Sequence, residues 1–386
     1  MPNQTLNVKP HIAVLTRIYP SSGDPALGVF TRVLARNFVK LGVSTTVIVP
    51  TKFWKPDANS FTGQMHTTDD SEASVIRPAY LPFSNKRLPG LGSTFSWSVK
   101  AFEKAARRSL FRLATNPTHI YGQFLFPAGR TAGWLSKETG AKSVVDLGES
   151  YLSFYEKHLG LDEVKRAING VDRIVAVADH LRDKCINRYG VPEHKVATFK
   201  NAAFVENGPL DKVHARKQLG LPLDRKIVGF VGTFDENKRP RYVLDALRQR
   251  PDIGAFFLGR QGTQTPVGKQ VYFAGAVPHE KVPVWLSAAD VFVHASLTEM
   301  SANAIAEAQA CGLPTVATDI PGNRELLDSE RAIFVAPRDQ DMLSNAIFQL
   351  MDDPKRRAQM SKAALASAQR YTSLDRARNI LSWILS

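Results

Sequence analysis

The sequence predicts an α/β chain built as two doubly wound domains, each around a parallel sheet, and three observations carry that prediction. Short apolar runs alternate with amphipathic helical stretches along most of the chain, the pattern of strand–helix–strand units. With 386 residues the chain exceeds one ordinary core and suits two domains of roughly 150 to 200 residues each. The alternation stops near the middle, at Asn201 to Leu223 with Gly208, Pro209, Gly220 and Pro222, and then restarts.

The run His11 to Thr16 reads as a buried strand. Val29 to Leu41 reads as a helix with Phe30, Val33, Leu34, Asn37, Phe38 and Leu41 on one face, stopped by Gly42. A strand at Ser44 to Val49 completes the first unit. Strand Thr118 to Tyr121, helix Ala128 to Thr139 closed by Gly140, strands Ser143 to Leu147 and Arg173 to Val177, and helix Asp179 to Tyr189 closed by Gly190 continue it. In the second half, strands Lys226 to Val231, Ala255 to Leu258, Val271 to Ala274, Val291 to Ala295 and Pro314 to Ala317 alternate with helices Tyr242 to Arg250, Glu280 to Ala288 and Asn303 to Ala310. Helical pattern fills Gln340 to Ser386, with a break near Asp353 and Pro354. The expected division is 1–203 and 204–370, with 371–386 a C-terminal helix packing back on the first domain.

An apolar fraction of 44% and a charged fraction of 22% are those of a globular protein. Two cysteines, Cys185 and Cys311, form neither a disulfide framework nor a metal-ligand cluster, which fits a reducing compartment. The start lacks the apolar stretch of a secretory signal, and no run of about 18 apolar residues occurs, so a cytoplasmic protein that does not span a membrane is expected. The formal charge of +14 favours an anionic partner: nucleic acid, anionic lipid or a phosphorylated substrate.

The most informative stretch is Ser296 to Thr318. Glu299 ends a loop after a strand, a helix begins at Ser301 or Ala302 with Ser301 as N-cap, and Glu307 lies within it. Gly312 as the C′ residue and Pro314 close it. A helix starting at the C-terminal edge of a parallel sheet offers free N–H groups and a positive dipole end to a phosphate. An isolated pair of such glutamates would be a solvated loop acid and a helix-surface acid.

Glu299 and Glu307, with seven residues between them and AQACGLP following, resemble the E-x7-E signature of the family 4 glycosyltransferases. Val277 to Glu299 is similar to the segment before that signature, and Asp319 to Leu327 to the loop and short helix after it. The resemblance covers most of the second half well, and the first half more loosely through Thr16 to Pro50 and Asp172 to Asn201. It implies a GT-B fold: two facing Rossmann-like domains with an interdomain cleft, acceptor bound by the first and a nucleotide-sugar donor by the second. It also implies transfer with retention of anomeric configuration, without cofactor or metal. Glu299 would contact the hydroxyls of the transferred sugar and Glu307 the nucleotide ribose, while N–H groups near Ser301, Ala302 and Asn303 would face the donor phosphate. Base contacts would come from backbone near Gly275 to Val277.

Gly232 to Arg241, GTFDENKRPR, resembles the family's phosphate-binding turn, with Gly232 at its glycine and Lys238 at its lysine. Lys238 and Glu299 are the expected catalytic pair. Thr233 stands where the family has arginine, a charge that Arg239 or Arg241 would have to supply. Tyr19 to Phe30 resembles the loop that approaches the donor diphosphate, with Gly28 just before the helix; it lacks the three-glycine dinucleotide fingerprint, and a turn packing a helix closely on its strand reads equally well. Val144 to Tyr151 aligns with a strand and loop that often carries a histidine in the family; Leu147 stands there, leaving Asp146, Glu149 or Ser150 as sugar or acceptor contacts, or as helix- or turn-capping residues.

The expected function is transfer of a sugar from a UDP- or GDP-linked donor to a glycan or lipid-linked acceptor in surface polysaccharide or glycolipid assembly. Trp97 to Leu113 adds a clue to the acceptor: Val99, Phe102, Ala106, Leu110 and Leu113 form an apolar stripe beside Lys100, Lys104, Arg107, Arg108 and Arg112. Such a helix suits the inner face of an anionic membrane, or else covers a sheet with a solvated basic face. A non-catalytic nucleotide-sugar or carbohydrate binding protein on the same fold is the alternative. Nucleic-acid binding is not expected, because the basic residues are dispersed and no RRM, KH or zinc signature occurs. A phosphorylase-like enzyme would need a longer chain and a pyridoxal-binding lysine context.

Overall fold

A computed structural model describes residues 9–55, 73–83, 87–88, 92–149, 152–203 and 208–386. The chain divides into two compact units, one of Met1–Phe199 with Ala377–Ser386 and one of Lys200–Arg376.

The first unit carries β1 (His11–Leu15), β2 (Ser44–Ile48), β3 (Thr51–Lys52), β4 (Ser74–Ile76), β5 (Ala79–Tyr80), β6 (Arg87–Leu88), β7 (Gly92–Ser93), β8 (His119–Gln123), β9 (Lys142–Leu147), β10 (Arg173–Ala176) and β11 (Val196–Thr198). Its helices are α1 (Val29–Lys40), α2 (Thr94–Leu110), α3 (Arg130–Thr139), α4 (Leu152–Leu159), α5 (Leu161–Asn169) and α6 (Asp179–Tyr189). Seven of these strands form one parallel sheet in the order β11-β10-β9-β8-β1-β2-β4. Parallel strands buried on both faces read as continuous apolar runs, and β1 is buried along its whole length.

In α1, Val29, Val33, Leu34, Asn37 and Phe38 are buried as the helical spacing requires. Phe30, expected on that face, is 36% exposed instead and rests edge-on against Phe124 at 5.9 Å. First-turn side chains lean back past the helix start, which carries this ring beyond the sheet to the residue that follows β8. The apolar stripe expected of α2 is spent on the core: Phe102, Ala106 and Leu110 are buried against β1, β2 and β8 residues and Val99 is buried as well, with Lys100, Lys104, Arg107 and Arg112 left exposed. The helix therefore covers the sheet with that stripe.

The second unit carries β12 (Lys226–Val231), β13 (Ile253–Leu258), β14 (Val271–Gly275), β15 (Val291–His294), β16 (Thr315–Thr318) and β17 (Ala332–Val335). Helices α7 (Lys212–Leu219), α8 (Pro240–Ala246), α9 (Val282–Ala288), α10 (Asn303–Ala310), α11 (Pro321–Arg324), α12 (Gln340–Asp352) and α13 (Pro354–Arg370) surround them. The sheet is parallel, in the order β14-β13-β12-β15-β16-β17. One core layer holds Phe256, Trp285, Phe292 and Ile305, and the other Phe230, Phe257, Val293 and Ile347.

The last helix, α14 (Ser373–Leu385), straddles the division. Its Ala377, Ile380, Leu381 and Ile384 are buried with β1 and β2 residues of the first unit, and the Ile384 carbonyl lies 3.1 Å from His119 Nε2. Burying such a branched side chain stabilises by roughly 1.5–3 kcal/mol, enough to hold the chain end on a unit almost two hundred residues earlier in sequence. Among the described residues, no helix is long and apolar enough to cross a membrane.

Strand order places the functional loops. In the second sheet the sequence order turns back between β12 and β15, which pair directly. Ligands of doubly wound sheets bind at such a switch point, outside the carboxyl ends of the strands. The segments that leave those ends are Gly232 to Arg239 and Ala295 to Ala302.

Candidate active site

The turn after β12 is organised by one carboxylate. Asp235 Oδ1 accepts from the backbone N–H groups of Asn237 at 3.0 Å and Lys238 at 2.8 Å, and Oδ2 accepts from the Thr233 hydroxyl. This Asx-type turn fixes where the Lys238 side chain leaves the backbone. Gly232 donates its N–H to the Leu258 carbonyl at 2.9 Å and lies so close to the next strand that a Cβ on Gly259 would fall 1.8 Å from its oxygen. Thr233, where arginine was expected, is thus a turn-closing residue. The two neighbouring arginines have partners of their own: Arg239 donates to the Pro337 carbonyl and lies 3.4 Å from the Tyr242 ring centre, and Arg241 donates to the Thr265 carbonyl at 3.1 Å.

Asn237 stitches this turn to the loop after β15. Its carbonyl accepts from Leu297 N–H at 2.9 Å, its Oδ1 accepts from Thr298 N–H at 3.0 Å and Oγ1 at 2.9 Å, and its Nδ2 donates to the Thr298 carbonyl at 3.1 Å. From the far side, Thr318 Oγ1 donates to the Ser296 carbonyl at 2.6 Å, and Asn323 Nδ2 donates to the Thr318 carbonyl at 2.8 Å. Gly322 packs against the same loop, since a Cβ there would sit 2.2 Å from the Glu299 carbonyl oxygen. The Glu299 backbone is therefore held from three directions.

The Glu299 side chain is held as well. Its Oε1 meets Lys238 Nζ and lies 3.0 Å from His294 Nε2. Burial pushes the carboxyl up, but the hydrogen bond with His294 and the adjacent Lys238 ammonium outweigh it and hold the Glu299 carboxyl below its ordinary value. It is an ionised, mostly buried carboxylate beside an ammonium group and just ahead of a helix start.

That helix, α10, begins at Asn303, a residue or two after the start read from a Ser301 cap, and its N-cap is Ala302, with no side-chain cap. Ser301, expected to cap it, turns the other way: its hydroxyl accepts from Asn201 N–H at 3.1 Å and its carbonyl from Asn201 Nδ2 at 2.8 Å. The first N–H groups of α10 consequently carry no side-chain cap. Gly312, at φ +69°, takes the left-handed conformation that ends the helix. Glu307 is buried on α10, and its Oε1 lies 2.8 Å from His279 Nε2, just beyond the half-buried Val277. Lys238, Glu299, Gly232, Ser301, Ala302 and Asn303 thus share one neighbourhood at the switch point, and Glu307 lies further along α10 beside the segment that follows β14.

Two expected site residues belong to the first unit. Gly28 has φ +71°, and a Cβ on it would lie 2.5 Å from the Ile18 carbonyl oxygen, so only glycine lets α1 start this close to the loop after β1. Glu149 is buried; its Oε1 accepts from Leu125 N–H at 2.6 Å and its Oε2 from Gly148 N–H at 3.2 Å, which makes it a brace for the turn after β8. Burial pushes its carboxyl up to about 7, the backbone hydrogen bonds only partly offsetting it. Ser150 lies outside the described residues. Sequence reasoning missed His294, Asn237, Asp235, Asn201, Gly322 and His279. One signal was available for His294, a polar residue ending the apolar strand VFVH.

Comparison with known proteins gives this geometry a context. The chain is 26% identical over 344 residues to TuaC of Bacillus subtilis (strain 168), whose name describes a teichuronic acid biosynthesis glycosyltransferase; the match covers 86% of this chain and 87% of that protein. It is 23% identical over 392 residues to D-inositol 3-phosphate glycosyltransferase 2 of Catenulispora acidiphila, covering 91% and 88%. Among solved structures, sucrose-phosphate synthase from Thermosynechococcus elongatus superposes with a TM-score of 0.80 at 20% identity, covering 97% of this chain and 98% of that one. HepE of Anabaena in complex with UDP gives a TM-score of 0.71 at 16% identity, covering 97% and 99%. These likenesses assign the GT-B fold, with its two Rossmann-like domains. Residues 211–366, within the unit that holds Lys238, Glu299 and Glu307, match the family described as Glycosyl transferases group 1.

Proposed function

We propose that the chain is a retaining glycosyltransferase that moves a sugar from a UDP- or GDP-linked donor to a glycan or lipid-linked acceptor in surface polysaccharide or glycolipid assembly. One observation carries the reading: Lys238 and the ionised Glu299 converge at the switch point of the second sheet, beside the uncapped start of α10. The second unit binds the donor and the first binds the acceptor. Glu299 accepts hydrogen bonds from hydroxyls of the transferred sugar, Glu307 from the ribose, and backbone near Val277 contacts the base. Lys238 and the N–H groups of Asn303 and its neighbours face the diphosphate.

In this mechanism the bond between the anomeric carbon and the diphosphate oxygen breaks as the acceptor hydroxyl attacks from the same face. The leaving phosphate oxygen takes the acceptor proton, so no protein base and no metal is required. Negative charge grows on the diphosphate in the transition state, where a fixed ammonium and helix N–H groups stabilise it more than they stabilise the bound donor. Removing one such donor of stabilisation costs about 3 kcal/mol, roughly a hundredfold or more in rate.

The protein is read as cytoplasmic, at or near an anionic membrane surface that its charge of +14 and the exposed Lys100 and Lys104 of α2 favour. Incubation with a panel of UDP- and GDP-sugars, followed by nucleoside diphosphate release, tests the proposal. Release that Glu299→Ala abolishes supports it and names the nucleotide. Tight donor binding without release, even with glycan and lipid acceptors supplied, favours a binding protein on the same fold.

A further inference from the structure

His294 is the last residue of β15 and is 1% exposed. Its Nε2 lies 3.0 Å from Glu299 Oε1 and 3.1 Å from Ser296 Oγ, whereas its Nδ1 is buried without a hydrogen-bond partner. A bare nitrogen lone pair is tolerated in that position. A second N–H there would be stranded and would bring a positive charge with it. The ring is therefore neutral and carries its proton on Nε2, from which it donates to the carboxylate. Burial, the dominant influence, pushes the His294 pKa down and acts in the same direction. The ring also stacks on Phe292, with centres 6.1 Å apart and planes 23° apart, which fixes the direction of that N–H.

Lys238 Nζ meets the same oxygen of Glu299. Two donors thus converge on Oε1, and among the described residues no protein hydrogen bond runs to Oε2. The terminal torsion of a glutamate is broad and two-fold, so a carboxylate held by nothing would present either oxygen at a range of angles. Resting on the transferase reading of this site, we propose that His294 is a positioning residue: its neutral Nε2–H and Lys238 together occupy Glu299 Oε1 and reserve Oε2 for a hydroxyl of the donor sugar. His294 touches no substrate itself. Its contribution is angular, and it belongs to recognition of the sugar more than of the nucleotide.

Two substitutions test this. His294→Gln can return an amide N–H close to the Nε2 position, and His294→Leu keeps apolar bulk without a donor. Loss of one hydrogen bond to a charged group corresponds to roughly a ten- to hundredfold change. The expected result for His294→Leu is a fall of that size in kcat for donor cleavage, with the Kd for the free nucleoside diphosphate within about twofold of wild type, and His294→Gln recovering most of the loss. A readout independent of turnover is the imidazole 15N spectrum of histidine-labelled protein, with His294 assigned by its disappearance in His294→Gln. It should report the neutral Nε2–H tautomer from pH 5.5 to 8.5, and that signal should move in Glu299→Gln. Wild-type kcat in His294→Leu, or an Nδ1–H or imidazolium form in the spectrum, overturns the positioning role alone. Absence of donor cleavage and of donor binding in the wild type overturns the transferase reading, and the role of His294 toward the sugar falls with it. Where His294→Leu fails to fold, the spectrum and His294→Gln still decide.

Discussion

Replacing Gly322 by alanine would bring a new Cβ to 2.2 Å from the Glu299 carbonyl oxygen, with further contacts at 2.5 and 2.8 Å to other Glu299 atoms. Relief to ordinary contact requires a shift of about 1 Å between α11 and the loop after β15, and a displacement of that size costs about a hundredfold in rate when it moves a reacting group. The loop cannot yield freely, because Asn237 and Thr318 hold it on its other sides. Overpacking of this kind destabilises by about 1–3 kcal/mol, so Gly322→Ala should fold at room temperature. The assay is nucleoside diphosphate release at saturating donor, with thermal unfolding alongside. Gly268→Ala, whose Cβ would meet nothing closer than Leu244 at 3.8 Å, is the control. A folded Gly322→Ala variant with wild-type kcat would refute the argument that Glu299 works only at its observed position.

Two more predictions concern the supports of the site and the fold. Asn237→Ala removes the side-chain bonds that join the two loops and should cost about 1–3 kcal/mol of stability with a larger fractional loss of kcat than of donor affinity; equal turnover in the variant would contradict the stitching role. Glu149 titrates at about 7 when folded against an ordinary 4.5, so its contribution is complete below pH 4.5 and is lost as pH rises through 7. The loss amounts to about 3 kcal/mol at most, at 1.36 kcal/mol per pH unit. Denaturant unfolding at pH 5 and pH 8 should show wild type losing more stability on going to pH 8 than Glu149→Gln does, and equal losses would remove the assignment.

The alternation of strand and helix was legible because buried parallel strands leave apolar runs that glycine and proline punctuate. Asp179 to Tyr189, Lys226 to Val231 and Asn303 to Ala310 have the same bounds in sequence pattern and structure. Helix α7 was absorbed into an expected connector, although Asp211 caps it through His214 N–H at 2.9 Å and Gly220 ends it at φ +66°. Its capping signals were present, and the surrounding proline and glycine residues outweighed them. Short elements such as α4, α5 and β17 were missed because eight or nine residues, or four, give little periodicity to read.

The expected site was legible to the extent that it is local. Glu299, Glu307 and the helix between them share one segment, and Lys238 lies in a recognisable turn. What was not legible is long-range: β12 and β15 pair only through sheet order, and that pairing brings Asn237 to Thr298 and Lys238 to Glu299, while Asn201 reaches Ser301 from the segment after β11. The Ser301 case shows the limit of local rules. A serine ahead of a helix is a good cap, yet here its hydroxyl is engaged by a backbone N–H a hundred residues away in sequence. Likewise the apolar stripe of α2 was legible as a stripe with two readings, and its packing on the sheet was set by the tertiary fold.

The central claim is that Lys238 and Glu299 act on a nucleotide-sugar donor. Its most direct test is kcat for donor cleavage in wild type, Lys238→Met and Glu299→Gln, each at saturating donor with binding measured separately. The account predicts a loss of about a hundredfold or more in kcat for both variants while the donor still binds. Wild-type turnover in either folded variant would contradict it.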